Sequence, residues 1–258
     1  MASPRTPAKG AVRDGRNLLS SNVDGAVAVS LESAMGTVSA LASTPRHAHA
    51  GYVFAHGAGA GMTHPFMAAV ASGLAERRIA CLRYQFPYME RGSKRPDSPE
   101  VAHATVRAAV VEAGRQWPRL PLFAGGKSFG GRMTSQAQAL APLPGVRGLV
   151  FLGFPLHPAG KPSDERAAHL SDVLVPMLFL QGTRDDLAAF DLMQAVIACL
   201  GARANLHPCV AADHSFRVLA RSGRTDAEVL DEALDALAAW IDRCVGSAHV
   251  NGSSAGSV

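Results

Sequence analysis

A series of short, nearly unbroken apolar runs recurs from residue 52 onward: Tyr52–Ala55, Ala80–Tyr84, Leu120–Gly125, Gly148–Gly153, Met177–Gly182 and Ala204–Val210. A strand with one wet face alternates apolar and polar residues, because successive side chains point to opposite sides. Runs that fail to alternate are covered on both faces, which is the condition of strands in a parallel sheet packed between helices. Longer segments with helical spacing separate the runs, and parallel neighbours require such crossovers. Two earlier strand candidates, Ala26–Leu31 and Thr37–Ala42, precede them. The pattern predicts an α/β protein with about eight strands in a mixed, mainly parallel sheet and helices on both faces. One doubly wound domain over residues 25–245 accommodates it.

Helix ends are readable between the runs. Thr63 is the expected cap of a helix with His64 and Pro65 in its first turn, and Ser98 precedes Pro99 and Glu100 in the same way. Thr225 and Glu228 have the spacing of a capping box. After it, Val229, Leu230, Ala233, Leu234, Leu237, Trp240 and Ile241 line one helical face.

Composition excludes several classes. At 258 residues and 48% hydrophobic, the chain is far from the composition of a disordered one. Its longest apolar run, Val173–Leu180, is broken by Pro176 and falls short of the roughly 18 to 20 residues of a membrane span. The net charge is +4, and Arg5, Lys9, Arg13 and Arg16 against Asp14 place +3 of it in the first twenty residues. What remains is no basic footprint for nucleic acid. Residues 1–24 and 246–258 lack apolar periodicity and are expected to be disordered tails. The basic start has neither the apolar stretch of a secretory leader nor the amphipathic order of a transit peptide. Cys81, Cys199, Cys209 and Cys244 are widely scattered and suggest reduced thiols in a cytoplasmic protein. His47, His49, His56 and His64 lack metal-ligand spacing, so no metal or other cofactor is expected.

The chemistry is concentrated in Leu120–Met133. There an apolar run leads into Gly126-Lys127-Ser128-Phe129-Gly130, and a helix-like stretch through Leu140 follows. This G-x-S-x-G pattern turns strand into helix so sharply that the serine backbone is strained, and flanking glycines remove the Cβ atoms that would collide. Gly126-Lys127-Ser128 also ends a phosphate-loop pattern, but that loop needs a glycine where Pro121 stands and flexible residues where Leu122, Phe123 and Ala124 stand.

Four blocks resemble the α/β-hydrolases, specifically their compact dienelactone-hydrolase-like group, which has relatives among animal testis-expressed and chromatin-complex hydrolase-like proteins. The blocks are Ala55–Gly61, Gly126–Gly130, Gln181–Asp185 and Asp213–Phe216. The resemblance spans about residues 25 to 244. It implies Ser128 as nucleophile, His214 as general base and Asp185 as the carboxylate orienting the base, with Asp186 a weaker candidate. Chain order agrees with that fold. The backbone N–H groups of Ala58 and Phe129 are the expected oxyanion donors.

Further expectations rest on position. His56, Gly57, Tyr88 and Met89 are candidate substrate-binding residues, and Phe86 and Leu156 are candidates for an apolar pocket. Arg91, Lys94 and Arg95 form a basic loop read as solvated, and Lys127 and Arg184 are read as rim charges. His103 and His169 are read as ordinary helix residues. The short connection after Phe154, with one helix expected over 164–173, predicts an open site without a lid. Dienelactone hydrolases proper use cysteine where Ser128 stands, so lactone specificity is not implied. The expected function is hydrolysis of small-molecule carboxylic esters or thioesters through an acyl-enzyme, with no nucleic-acid or membrane partner and no expectation of oligomeric state. The alternative is a hydrolase-shaped interaction module in a larger assembly.

Overall fold

The computed structural model describes residues 25–30 and 36–252. Most of the two expected tails, residues 1–24 and 253–258, lies outside them. Eight strands form one sheet in the order β1-β2-β4-β3-β5-β6-β7-β8. They are β1 (Gly25–Ser30), β2 (Thr37–Ser43), β3 (Ala50–Ala55), β4 (Ile79–Tyr84), β5 (Leu122–Lys127), β6 (Val146–Leu152), β7 (Met177–Gly182) and β8 (Ala204–Cys209). β2 runs antiparallel to both β1 and β4. Every other neighbouring pair is parallel. Among the described residues, α1 (Pro65–Glu76), α2 (Pro87–Glu90), α3 (Pro99–Gln116), α4 (Phe129–Leu140) and α5 (Phe190–Leu200) lie between strands, and α6 (Asp226–Gly252) follows β8.

The unbroken apolar runs follow from two cores, one on each face. Along β4, Ile79 and Cys81 enter the core shared with α1 and α6. Ala80, Leu82 and Tyr84 enter the core shared with α3, α4 and α5. Both sets are buried, so alternation in direction leaves no alternation in polarity. The expected face of α6 holds, with Val229, Ala233, Leu234, Leu237, Trp240 and Ile241 all buried.

Helix ends differ in detail. α1 is capped by His64, whose Nδ1 accepts from Phe66 N–H at 3.2 Å, and not by Thr63. Pro65 must occupy the first helical position because it has no N–H to pair, which makes the residue directly before it the cap. Ser98 caps α3 as expected but makes no hydrogen bond from its side chain to the helix backbone. The capping box of α6 is present. Thr225 N–H donates to Glu228 Oε2 at 2.7 Å, and Glu228 N–H donates to Thr225 Oγ1 at 3.2 Å. α6 continues to Gly252, into the stretch expected as a tail, since extending a formed helix costs far less than starting one.

The expected helix over 164–173 is a 3₁₀ helix, Glu165–Asp172. Apart from it, the β6–β7 connection is loop, with no inserted domain. Chain order decides where a site can form. From β3 the chain crosses to β4 on one side, then to β5 on the other side of β3. The loops after β3 and β5 therefore diverge from adjacent strands and leave a crevice at their C-terminal ends, the usual ligand site in open α/β sheets.

Candidate active site

Ser128 follows β5 directly and starts the turn into α4. Its φ of 50° and ψ of −116° lie in a region that costs a residue with a Cβ about 1 to 3 kcal/mol. The turn is too tight for side chains beside the serine. A Cβ at Gly126 would lie 2.6 Å from the Ala55 carbonyl oxygen, and one at Gly130 would lie 2.5 Å from that of His56. The strand also runs further than expected, through Gly126 and Lys127, so the ladder holds the backbone up to the residue before the serine.

A hydrogen-bonded line runs from this serine. Ser128 Oγ is 2.9 Å from His214 Nε2, and His214 Nδ1 is 2.7 Å from Asp185 Oδ2. The carboxylate can only accept, so Nδ1 carries the proton and Nε2 is free to accept from the serine hydroxyl. Asp185, with its side chain fully buried, is fixed from two further sides. Gln181 Nε2 donates to its Oδ2 at 2.6 Å, and Leu187 N–H donates to its Oδ1 at 2.8 Å. Gln181 is fully buried and its Oε1 accepts from Phe154 N–H at 2.9 Å. Sequence reading gave Gln181 no role; the available signal was one amide in the otherwise apolar run Met177–Gly182. Asp186, the weaker candidate, is exposed and forms no part of this line.

Opposite the serine lies the turn after β3. A Cβ on Gly57 would approach Lys127 Cγ at 3.6 Å and Ser128 Cβ at 3.8 Å, which places the turn directly beside the elbow. Ala58 lines the cavity next to Ser128. Phe129 holds the first position of α4, where a backbone N–H has no intrahelical acceptor.

The candidate substrate-binding residues occupy different places. Gly57 lines the cavity, but His56 and Tyr88 are fully buried and Met89 is not among the lining residues. Phe86 and Leu156 are fully buried as well. Phe86 and Tyr88 pack with Phe129 and the core beneath α3 and α4, because α2 folds the chain after β4 back into the protein, and Leu156 joins that core from the loop after β6. His56 is a structural polar group. Its Nδ1 donates to Gly57 O at 2.8 Å, and its Nε2 accepts from Phe86 N–H at 3.0 Å. Burial holds its pKa down to about 4 despite the bond to Gly57, which pulls the other way.

Lys127 is half-buried, lines the cavity beside Ser128 and is tied down there. Its Nζ donates to His214 O at 2.6 Å and lies 5.9 Å and 5.6 Å from the ring centres of Phe66 and Phe216. Arg184 is exposed and donates to Ala211 O at 3.3 Å. In the basic loop, Arg91 pairs with Asp97 at 2.6 Å.

The cavity in front of Ser128 has a volume of about 790 Å³ and opens between α1 and α6. Phe66, Met67, Phe216, Ala227 and Leu230 give it an apolar wall, and His64, Lys127, Arg217 and Asp226 add polar groups to its lining. Sequence reading missed the apolar residues, which lie on elements remote from one another in the chain.

A strained serine turn at the centre of a lidless, doubly wound sheet defines the α/β serine hydrolase fold. The chain belongs to the alpha/beta hydrolase domain family, whose model matches residues 48–242. Solved structures agree in fold. A dienelactone hydrolase from Anabaena variabilis superposes with a TM-score of 0.68 at 18% identity, covering 86% of this chain and 97% of its own. An alpha-beta serine hydrolase homologue from Coxiella burnetii gives 0.66 at 18%, covering 84% and 97%. A Xanthomonas campestris protein, described as an a/b serine hydrolase without lid, gives 0.64 at 19%, covering 84% and 94%.

Proposed function

We propose that this protein is a serine hydrolase that cleaves small-molecule carboxylic esters or thioesters through an acyl-enzyme. The observation that carries this reading is the hydrogen-bonded line Ser128–His214–Asp185 at the end of an apolar cavity. In this reading Ser128 Oγ attacks the carbonyl carbon while His214 Nε2 takes its proton. Asp185 keeps the imidazole in the required tautomer and stabilises the imidazolium. The N–H groups of Ala58 and Phe129 receive the developing oxyanion, each worth about 3 to 4 kcal/mol in the transition state. His214 then protonates the leaving alcohol or thiol, and water enters by the same route in reverse to release the acid. The apolar walls suit an acyl chain, and the lidless opening suits substrates presented from solution. Four cysteines scattered along the chain accord with a cytoplasmic setting.

Fluorophosphonate labelling and hydrolysis of a short p-nitrophenyl ester test the reading. Both are expected from the wild-type chain and neither from Ser128→Ala. Labelling that survives in Ser128→Ala overturns it.

A further inference from the structure

We propose that Lys127 is a positioning residue for this site: by donating to the main-chain carbonyl of His214, it holds the loop that carries the imidazole in register with Ser128. The inference rests on the hydrolase reading above. β5 and β8, whose C-terminal ends carry Ser128 and the His214 loop, are separated in the sheet by β6 and β7, so no ladder bond joins them. The His214 loop is tied to the turn after β7, where Arg184 N–H donates to Ala212 O at 2.9 Å and the imidazole meets Asp185, and the rest of its hydrogen bonds are largely its own. Asp213 Oδ1 accepts from the N–H groups of Ser215 and Arg217, Asp213 N–H donates to Arg217 O, and Phe216 N–H donates to Asp213 O. They give the loop its shape, and across to the elbow the loop is joined by the His214 ring at Ser128 Oγ and by Lys127. Lys127 spans that gap at 2.6 Å, from the residue immediately before the serine to the main chain of the histidine itself.

The surroundings fit a built contact. Phe66 from α1 and Phe216 from the loop face the ammonium group. Gly153, with φ of 68°, leaves the space it occupies. A Cβ there would lie 3.0 Å from Nζ and 3.4 Å from His214 Nδ1. The charged groups that act on Lys127 are Asp185 from the turn after β7 and Asp213 from the loop, both favouring the ammonium form, with His214 beside it. Burial outweighs them and lowers the lysine to about 8. A charged donor makes roughly twice as strong a hydrogen bond as a neutral one, so the clamp weakens as the amine loses its proton.

The test is steady-state kinetics of the full chain on a p-nitrophenyl ester across pH, for wild type, Lys127→Met and Lys127→Arg, with thermal melting alongside. Methionine keeps the length but cannot donate. It is expected to lower kcat about tenfold or more with KM within about twofold. Arginine, still a cationic donor, is expected to recover part of the loss. Wild-type kcat is expected to decline as pH rises through about 8, a limb that Lys127→Met lacks. Unchanged kcat in Lys127→Met, or a change confined to KM, overturns the proposal. Should Lys127→Met not fold, Lys127→Leu, which also cannot donate, decides in the same assay, and an unchanged kcat there overturns the proposal. Fluorophosphonate labelling separates the two ideas. Failure of the hydrolase reading abolishes labelling of wild type, whereas failure of the clamp leaves wild type labelled and Lys127→Met at full speed.

Discussion

The imidazole of His56 turns back on its own neighbour and donates to the carbonyl of Gly57 at 2.8 Å. The Gly57–Ala58 peptide is trans and planar, so drawing that carbonyl toward His56 aims the Ala58 N–H the opposite way. A fully buried side chain that lines no part of the cavity thus constrains the backbone of Ala58, a residue that does.

Replacing that ring tests the relationship. His56→Ala leaves Gly57 O and Phe86 N–H without their partner, which is expected to cost about 2 to 4 kcal/mol in chemical denaturation. If Ala58 is an oxyanion donor, kcat on an ester falls by at least about tenfold in the protein that remains folded, and KM moves less.

The same residue makes stability depend on pH. His56 is held down to about 4 in the folded protein, against 6.5 for the ordinary group. The unfolded chain therefore takes up the proton first as pH falls. Stability from this residue is whole above about 6.5, is lost progressively down to about 4, and changes no further below. The loss is about 3 kcal/mol at most. Denaturation midpoints at pH 7 and pH 4 are expected to differ less in His56→Ala than in wild type.

Ser128 has a backbone conformation that glycine adopts freely. Ser128→Gly is expected to abolish ester hydrolysis and yet raise stability by about 1 kcal/mol, or about 2 to 4 °C in Tm. Calorimetry beside an esterase assay measures both. An unchanged or lower Tm contradicts the strain argument.

Asp185→Asn keeps the shape of the site but can present an N–H to His214 Nδ1, favouring the wrong tautomer. A loss of roughly 10⁴ in kcat is expected. Gln181→Leu removes a donor from Asp185 and the acceptor of Phe154 N–H. It is expected to lower kcat by about tenfold and stability by about 1 to 3 kcal/mol.

Leu230 lines the cavity from α6. Leu230→Trp narrows it and is expected to raise KM for octanoyl esters several-fold while leaving acetyl esters nearly unaffected. A series of p-nitrophenyl esters of increasing chain length reads this directly.

The strands, their order of appearance and the serine turn were legible in the chain because each is a local pattern. Burial on both faces writes itself as an unbroken apolar run, and a turn too tight for a Cβ writes itself as Gly126 and Gly130. Ser128, Asp185 and His214 were candidates through the resemblance to the α/β-hydrolases, with which their chain order agrees. Tertiary structure alone decided how near these come, since 86 residues separate the serine from the histidine that meets it. It likewise decided which side of the sheet becomes the cavity. Phe86, Tyr88 and Leu156 turn inward, while Phe66, Phe216 and Leu230 from three distant elements form the walls. Lys127 shows the same division. Its sequence position suggested a charge at the rim, and packing against a loop from the far end of the chain made it a half-buried donor on the cavity wall. Local patterns report what a residue can tolerate beside it in the chain. Only the fold supplies the neighbours that decide what its polar atoms bind.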